Sequence, residues 1–117
     1  MAEPQQIYPP TSSEFARERE KLAPKTAQAF KAFSRIVFAD GALPARTKQL
    51  IAVAVAHVTQ CPYCIISHTR GALKHGATAE EIMEAIWVAA EMRAGAARAH
   101  SVLALEMISH ARRGSSE

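Results

Sequence analysis

Apolar side chains recur three and four positions apart along most of the chain, and this spacing is typical of amphipathic helices. The clearest example follows Lys25, where the apolar positions are Ala29, Phe30, Phe33, Ile36 and Val37. The pattern predicts six helices, over about residues 12–22, 25–40, 45–58, 62–75, 79–94 and 96–112. No segment shows the alternation of a strand with comparable strength. We therefore predict an all-α fold.

Residues that start or stop helices divide the chain further. Two segments, 11–14 and 78–81, have the spacing of a capping box, which opens a helix. Gly41 and Gly76 are expected to stop the second and fourth helices, and Gly95 to mark a break or a close packing point before the last one. We predict three regions. They are an N-terminal arm and short helix over residues 1–24, the main domain over residues 25–113, and a flexible tail over residues 114–117.

Composition favours closely packed helices. Of the 117 residues, 49% are hydrophobic and only 6% are aromatic, and a chain of this length buries a core without disulfides. The helices over 45–58 and 80–94 have more apolar surface than one protomer can readily cover, so we predict an oligomer. Four large side chains are most simply core residues: Met83, Trp87, Met92 and Met107.

The basic residues do not form a patch. The formal net charge is +3, but lysines and arginines alternate mostly with Glu and Ala, which indicates solvated helix faces and argues against nucleic-acid binding. No apolar run reaches the roughly 18 residues of a membrane span, and the polar, proline-rich start has no secretory signal. We therefore expect a cytoplasmic protein with no membrane partner, in a compartment that keeps thiols reduced.

The segment QCPYCIISH, residues 60–68, contains the candidate chemistry. Pro62 fits the first turn of a helix, which puts Cys61 at the N-cap, where backbone N–H groups and the helix dipole favour a thiolate. At about 100° per residue, Cys61, Cys64 and His68 fall within roughly 60° on one helix face. Cys64 and His68 are one turn apart, close enough to exchange a proton. The segment thus supplies the nucleophile, second thiol and base of a dithiol redox reaction, which requires no cofactor.

Two other interpretations of the cysteines remain open. Free cysteines are often buried as small apolar residues, although the proline and the facing histidine argue against this here. A structural zinc ion needs about four ligands. Cys61, Cys64, His68 and His57 nominally supply them, but the break at Pro62 and the lack of a second such motif argue against a metal site.

The order of motifs along the chain resembles that of one protein family. The motifs are Asp40–Pro44, Lys48–Ala52, Cys61–Cys64, His68, Gly76–Thr78, Glu80–Ile82, Ala94–Gly95 and Ala99–His100. Over about residues 25–110 the chain resembles the carboxymuconolactone decarboxylase family, and more narrowly its alkylhydroperoxidase-D-like branch. The resemblance implies a helical homotrimer, or a homohexamer built from trimers, that reduces peroxides with its cysteine pair and an external dithiol donor. It also implies that Cys61 and Cys64 cycle between dithiol and disulfide, with His68 in a proton relay.

Two positions depart from the family pattern. The hydroperoxidases have a glutamate twelve residues before the first cysteine, where this chain has Gln49, and some have a histidine between the cysteines, where this chain has Tyr63. An amide does not accept a proton as a carboxylate does, so the relay is weakened or rerouted. The possible relay residues are Gln49, His57, Tyr63 and His100. Both histidines interrupt an apolar helix face, where a histidine is more often a hydrogen-bonded core residue than a catalyst.

The leading hypothesis is a thiol-dependent peroxidase in which Cys64, beside His68, attacks the peroxide and Cys61 then condenses with it to a disulfide. A decarboxylase-type lyase acting on a small lactone acid is a second hypothesis. It would need a carboxylate-binding arginine, for which Arg70 and Arg93 are candidates, and that branch of the family generally lacks the cysteine pair. A third hypothesis is a non-enzymatic, redox-sensing oligomer whose disulfide changes its assembly.

Overall fold

The computed structural model describes residues 7–9 and 12–115, and within them all regular structure is helical. There are five helices in this part of the chain: α1 Ser13–Leu22, α2 Pro24–Phe38, α3 Ala45–Thr59, α4 Pro62–Lys74 and α5 Ala79–Gly114. The predicted all-α fold is confirmed. The predicted bounds of the first four helices lie within two residues of the observed ones.

The chain divides into two compact units, residues 1–42 and residues 43–117. In the first unit, α1 begins after Ser12, whose hydroxyl accepts a hydrogen bond from the backbone N–H of Phe15 at 3.2 Å. Thr11, which the sequence predicted as a cap, lies outside the described residues. An ion pair between Lys31 and Glu20 joins α2 to α1.

In the second unit, α3 packs against both α4 and α5. The core consists mainly of small side chains, which allow neighbouring helices to approach closely. Its buried members are Val53, Ala72, Ala77 and Ile82, with Leu50 and Ile86 packed against them. α3 is therefore the central helix of this unit.

Helix α5 begins with the predicted capping box. The hydroxyl of Thr78 accepts a hydrogen bond from the backbone N–H of Glu81 at 3.1 Å, and the Glu81 carboxylate accepts one from the backbone N–H of Thr78 at 2.9 Å. Arg46, in the first turn of α3, donates to the same carboxylate at 2.7 and 2.9 Å. The backbone N–H of Thr78 and the Arg46 guanidinium lower the pKa of Glu81. The start of α5 is thereby tied to the start of α3.

Two predicted helix stops are wrong. α5 runs through Gly95 as one helix of 36 residues, so the predicted fifth and sixth helices are continuous. A glycine keeps its backbone N–H and costs only about 1 kcal/mol relative to alanine within a helix, and alanines flank it here. Gly41 does not stop α2, because the helix already ends at Phe38, followed by extended Ala39.

The predicted stop at Gly76 is confirmed. Gly76 has a φ of 89°, and the backbone N–H of Ala77 donates to the carbonyl of Ala72 at 2.9 Å. This arrangement closes α4 in the left-handed manner that glycine permits. Among the described helices, none is both long and apolar enough to cross a bilayer.

Candidate functional site

The backbone fixes Cys61 between two helices. α3 ends at Thr59, and Gln60 follows in the left-handed conformation with φ 59° and ψ 45°. The backbone N–H of Cys61 then donates to the carbonyl of Ala56 at 3.1 Å, which closes α3. Pro62 begins α4 and leaves Cys61 as its N-cap, as the sequence predicted. The position of this thiol is therefore set by the end of one helix and the start of the next.

The two cysteines form a hydrogen-bonded pair with unequal acidity. Both thiols are free and half-buried, and the Cys61 sulfur accepts a hydrogen bond from the backbone N–H of Cys64 at 3.2 Å. Hydrogen bonds from the Cys64 thiol, and then from the backbone N–H groups of Cys64 and Tyr63, lower the pKa of Cys61. The same side-chain hydrogen bond, together with burial, raises the pKa of Cys64. The hydrogen bonds to the Cys61 sulfur and the helix N-terminus therefore favour the negative charge on Cys61 when the pair loses one proton.

A second hydrogen bond joins α3 to α4. Gln49, on α3, is buried, and its Oε1 lies 2.8 Å from Nδ1 of His68 on α4. Burial lowers the pKa of His68, which favours the neutral imidazole. His68 lies one turn after Cys64 on the same helix, where side chains face one another. The structure thus places the Cys61–Cys64 pair at the start of α4, and His68, bonded to Gln49 of α3, one turn further along α4.

Gly71 is a site neighbour that the sequence analysis missed. A β-carbon at Gly71 would lie 2.5 Å from Oε1 of Gln49, so only glycine leaves room for the glutamine where it stands. The available signal was a glycine inside a predicted helix, three residues after the histidine, where a close packing contact is a common cause.

None of the other three predicted relay side chains is a partner in these two hydrogen bonds. Nδ1 of His57 is 2.7 Å from the carbonyl of Val53, so this ring nitrogen donates to the backbone of its own helix. The Tyr63 side chain is exposed at the start of α4, although its backbone N–H contributes to the acidity of Cys61. His100 is exposed on α5. A relay role for these three side chains stays a prediction.

The two arginines considered as carboxylate-binding residues of a lyase lie in different environments. Nη1 of Arg93 donates to the carbonyl of Val58 at 3.4 Å, which ties α5 to the end of α3. Arg70 is exposed on α4. Within the described residues, no group of three or more His, Cys, Asp or Glu side chains is arranged to hold a metal ion.

Comparisons with known proteins agree with this architecture. The model of the carboxymuconolactone decarboxylase family matches residues 24–107. A Paracoccus denitrificans protein named "uncharacterized protein 4 in cox locus" is 61% identical over 102 residues, covering 87% of this chain and 92% of that protein.

Two solved structures are similar to this one. A carboxymuconolactone decarboxylase family protein from Legionella pneumophila has a TM-score of 0.65 and 35% identity, covering 68% of this chain and 71% of its own. A protein from Methanobacterium thermoautotrophicum has a TM-score of 0.66 and 38% identity, covering 70% and 92%. The chain belongs to the carboxymuconolactone decarboxylase family.

Proposed function

We propose that this protein is a thiol-dependent peroxidase that uses Cys61 and Cys64 as a dithiol/disulfide pair. The observation that supports this most directly is the hydrogen bond between the cysteines at the start of α4, with the pKa of Cys61 lowered and that of Cys64 raised. One sulfur is thereby prepared as a nucleophile while the other keeps its proton. Membership of a family that includes such peroxidases supports the same reaction class.

The reaction proceeds in three balanced steps. The Cys61 thiolate attacks the O–O bond of a hydroperoxide, forms an S–O bond and releases an alkoxide, which takes up a proton to leave as an alcohol. The Cys64 sulfur, after losing its proton, attacks the Cys61 sulfenic acid, forms the disulfide and releases hydroxide, which is protonated to water. An external dithiol then reduces the disulfide and is itself oxidised to a disulfide, which restores both thiols.

The order of attack differs from the sequence-based assignment. Cys64 was assigned the attack because His68 is one turn away, whereas the hydrogen bonds favour the thiolate at Cys61. A thiolate, not a thiol, is the nucleophile. We therefore assign the first attack to Cys61 and the resolving step to Cys64.

His68 serves as the proton carrier of the pair. A neutral imidazole one turn from Cys64 can accept the thiol proton when Cys64 attacks, and can return it to the leaving oxygen. General acid–base help of this kind contributes about 10²–10⁴-fold to a rate. His68→Gln should therefore lower turnover strongly, while His75→Gln, an exposed histidine at the end of the same helix, should not.

A peroxide-consumption assay tests the proposal. The reduced protein is mixed with hydrogen peroxide or an alkyl hydroperoxide and with dithiothreitol as the electron donor. We expect catalytic consumption by the wild type, background rates for Cys61→Ser, and slower turnover for Cys64→Ser, in which dithiothreitol itself must reduce the Cys61 sulfenic acid. Formation of the disulfide without turnover, accompanied by a change in assembly mass, would instead support the redox-sensing oligomer.

Trapping the sulfenic acid decides the order of attack. Each single Cys→Ser variant is exposed to one equivalent of peroxide with dimedone, and the adduct is located by peptide mass mapping. We expect rapid labelling of Cys61 in Cys64→Ser and slow labelling of Cys64 in Cys61→Ser. The reverse ranking would return the attack to Cys64.

A further inference from the structure

The buried amide of Gln49 has an orientation that the surrounding atoms decide. A polar side chain buried in a protein needs a hydrogen-bond partner, and His68 Nδ1 at 2.8 Å provides one. Hydrogen-bond distance alone leaves two choices, because the amide oxygen could accept from Nδ1–H, or a swapped amide nitrogen could donate to a bare Nδ1.

Gly71 favours the first choice. The amide oxygen of Gln49 lies 2.5 Å from the position that a β-carbon of Gly71 would occupy, nearer than the amide nitrogen at 3.2 Å. A glycine Cα–H points there, and a C–H next to a carbonyl oxygen is weakly attractive. A swapped amide would place N–H hydrogens against the same C–H. The oxygen therefore faces both Gly71 and His68, and Nδ1 of His68 is the donor.

We propose that Gln49 is a positioning residue that holds His68 in the Nδ1–H tautomer, so that Nε2 is the nitrogen that exchanges protons during the reaction. This inference rests on the proposed peroxidase function for its catalytic meaning. The tautomer itself is a property of the resting protein and stands without it.

We call the hydrogen bond between Gln49 and His68 the clamp. It sets which ring nitrogen of His68 is protonated without changing the charge of the ring, whereas a carboxylate would do both. A histidine in water favours the proton on Nε2, so His68 without a clamp would tend to present the wrong nitrogen. A glutamate at position 49 would also accept from Nδ1–H, but its negative charge would favour the protonated imidazole. The neutral amide fixes the proton position and leaves His68 uncharged. Histidine orientation by a second side chain is worth orders of magnitude where the base must present one nitrogen.

Nitrogen NMR of histidine-labelled, reduced, full-length protein tests the inference. At about pH 8, above the ordinary imidazole pKa of about 6.5, each neutral ring shows one protonated and one bare nitrogen. His57 is an internal reference, because its Nδ1 faces a backbone carbonyl at 2.7 Å and must be protonated there. The signals that are missing from a His68→Asn spectrum belong to His68, which separates them from those of the other four histidines.

Three variants give distinct expectations. In the wild type and in Gln49→Glu, His68 should be protonated on Nδ1, because both side chains accept. In Gln49→Met, which is unbranched and offers only a weakly accepting thioether, His68 should shift toward the Nε2–H form while His57 stays unchanged. Gly71→Ala, whose β-carbon displaces the amide, should shift His68 in the same direction and serves if Gln49→Met does not fold.

The outcomes separate the clamp from the proposed function. An Nε2–H tautomer in the wild type, or an unchanged His68 in both Gln49→Met and Gly71→Ala, overturns the clamp. If the clamp acts in catalysis, peroxide turnover falls about 10²-fold in Gln49→Met, whereas it rises in Gln49→Glu, which keeps an acceptor for Nδ1–H and adds a negative charge. A wild type that shows the Nδ1–H tautomer but consumes no peroxide overturns the peroxidase and leaves the clamp standing.

Discussion

Two regions of the molecule are similarly apolar in sequence but differ in how far their side chains are buried. One is the α3–α4 junction, by which we mean the packed faces of α3 and α4, and the other is the distal half of α5, residues 96–114. At the junction, Val53 is fully buried and Gln49 is enclosed. Along the distal half of α5 every residue is exposed, including four large apolar side chains that are 60–68% exposed. They are Val102, Leu103, Leu105 and Met107.

This contrast shows which apolar side chains the protomer buries against its own helices and which it leaves exposed. The junction is enclosed because two neighbouring helices cross there, and the enclosure produces the hydrogen bonds of the candidate site. The distal half of α5 extends past the helices that cover the first half. An exposed apolar stripe of this kind is typical of an interface.

The largest expected effect is on assembly. We predict that the protein is an oligomer and that Leu105→Lys reduces its mass, because a charge in an apolar interface is costly. Ser101→Lys, an equal change in charge at an exposed polar position in the same half, is the control. Light scattering that shows a stable wild-type monomer at micromolar concentration would end the idea.

The next effect is on turnover. Gln49→Glu keeps an acceptor for His68 and adds a negative charge, which raises the pKa of His68 and favours thiolate formation beside it. We expect peroxidase turnover to rise by about 10²-fold without a change of fold. Steady-state rates measured from about pH 6 to about pH 9 check this. Equal rates in the two proteins would show that the glutamine does not limit the reaction.

A matched pair of substitutions tests the contrast in stability. Val53→Ala should lower the free energy of unfolding by about 2 kcal/mol, because it removes two buried methyl groups and leaves a cavity. Val102→Ala, the same change at a position 60% exposed, should cost less than about 0.5 kcal/mol. Urea unfolding measures both. An equal loss at the two positions would mean that Val102 is as enclosed as Val53.

The smallest effect is on thiol titration. Because the pKa of Cys61 is lowered, its thiolate forms at a lower pH than that of a free cysteine and disappears as the pH falls through that pKa. Removing the side-chain donor with Cys64→Ala should raise the midpoint, and Cys64→Ser, which keeps an O–H donor, should raise it less. The rate of iodoacetamide labelling at Cys61 against pH gives the midpoint. A midpoint in the wild type at or above that of free cysteine contradicts the hydrogen-bond argument.

Local rules predicted the features that depend on neighbouring residues. Pro62 predicted that Cys61 is an N-cap, and the spacing from Thr78 to Glu81 predicted the capping box. Both predictions were correct because each arrangement involves only a few consecutive residues. Gly95 misled because a single glycine is only weakly unfavourable in a helix and the surrounding alanines outweigh it.

Features that depend on how helices pack were not predictable in this way. The bond between Gln49 and His68 spans 19 positions and exists because α3 crosses α4. Four side chains of α5 were predicted in the core but are 52–68% exposed: Met83, Trp87, Met92 and Met107. α5 turns Ile82 and Ala89 inward instead. Hydrophobicity alone does not say which face of a helix meets its neighbour.

Helices α3 and α4 end with the same left-handed turn, but they use different residues. Gly76 adopts that conformation at no steric cost, whereas Gln60 adopts it with a side chain, at a cost of about 1–2 kcal/mol. A substitution in the turn before Cys61 can therefore stabilise the protein without changing either cysteine. Gln60→Gly should raise the free energy of unfolding by up to about 1 kcal/mol, measured as a higher urea midpoint. The gain is smaller than the strain removed, because glycine also has greater freedom in the unfolded chain. The position next to the proposed nucleophile is thus one at which a single substitution can increase the stability of the fold.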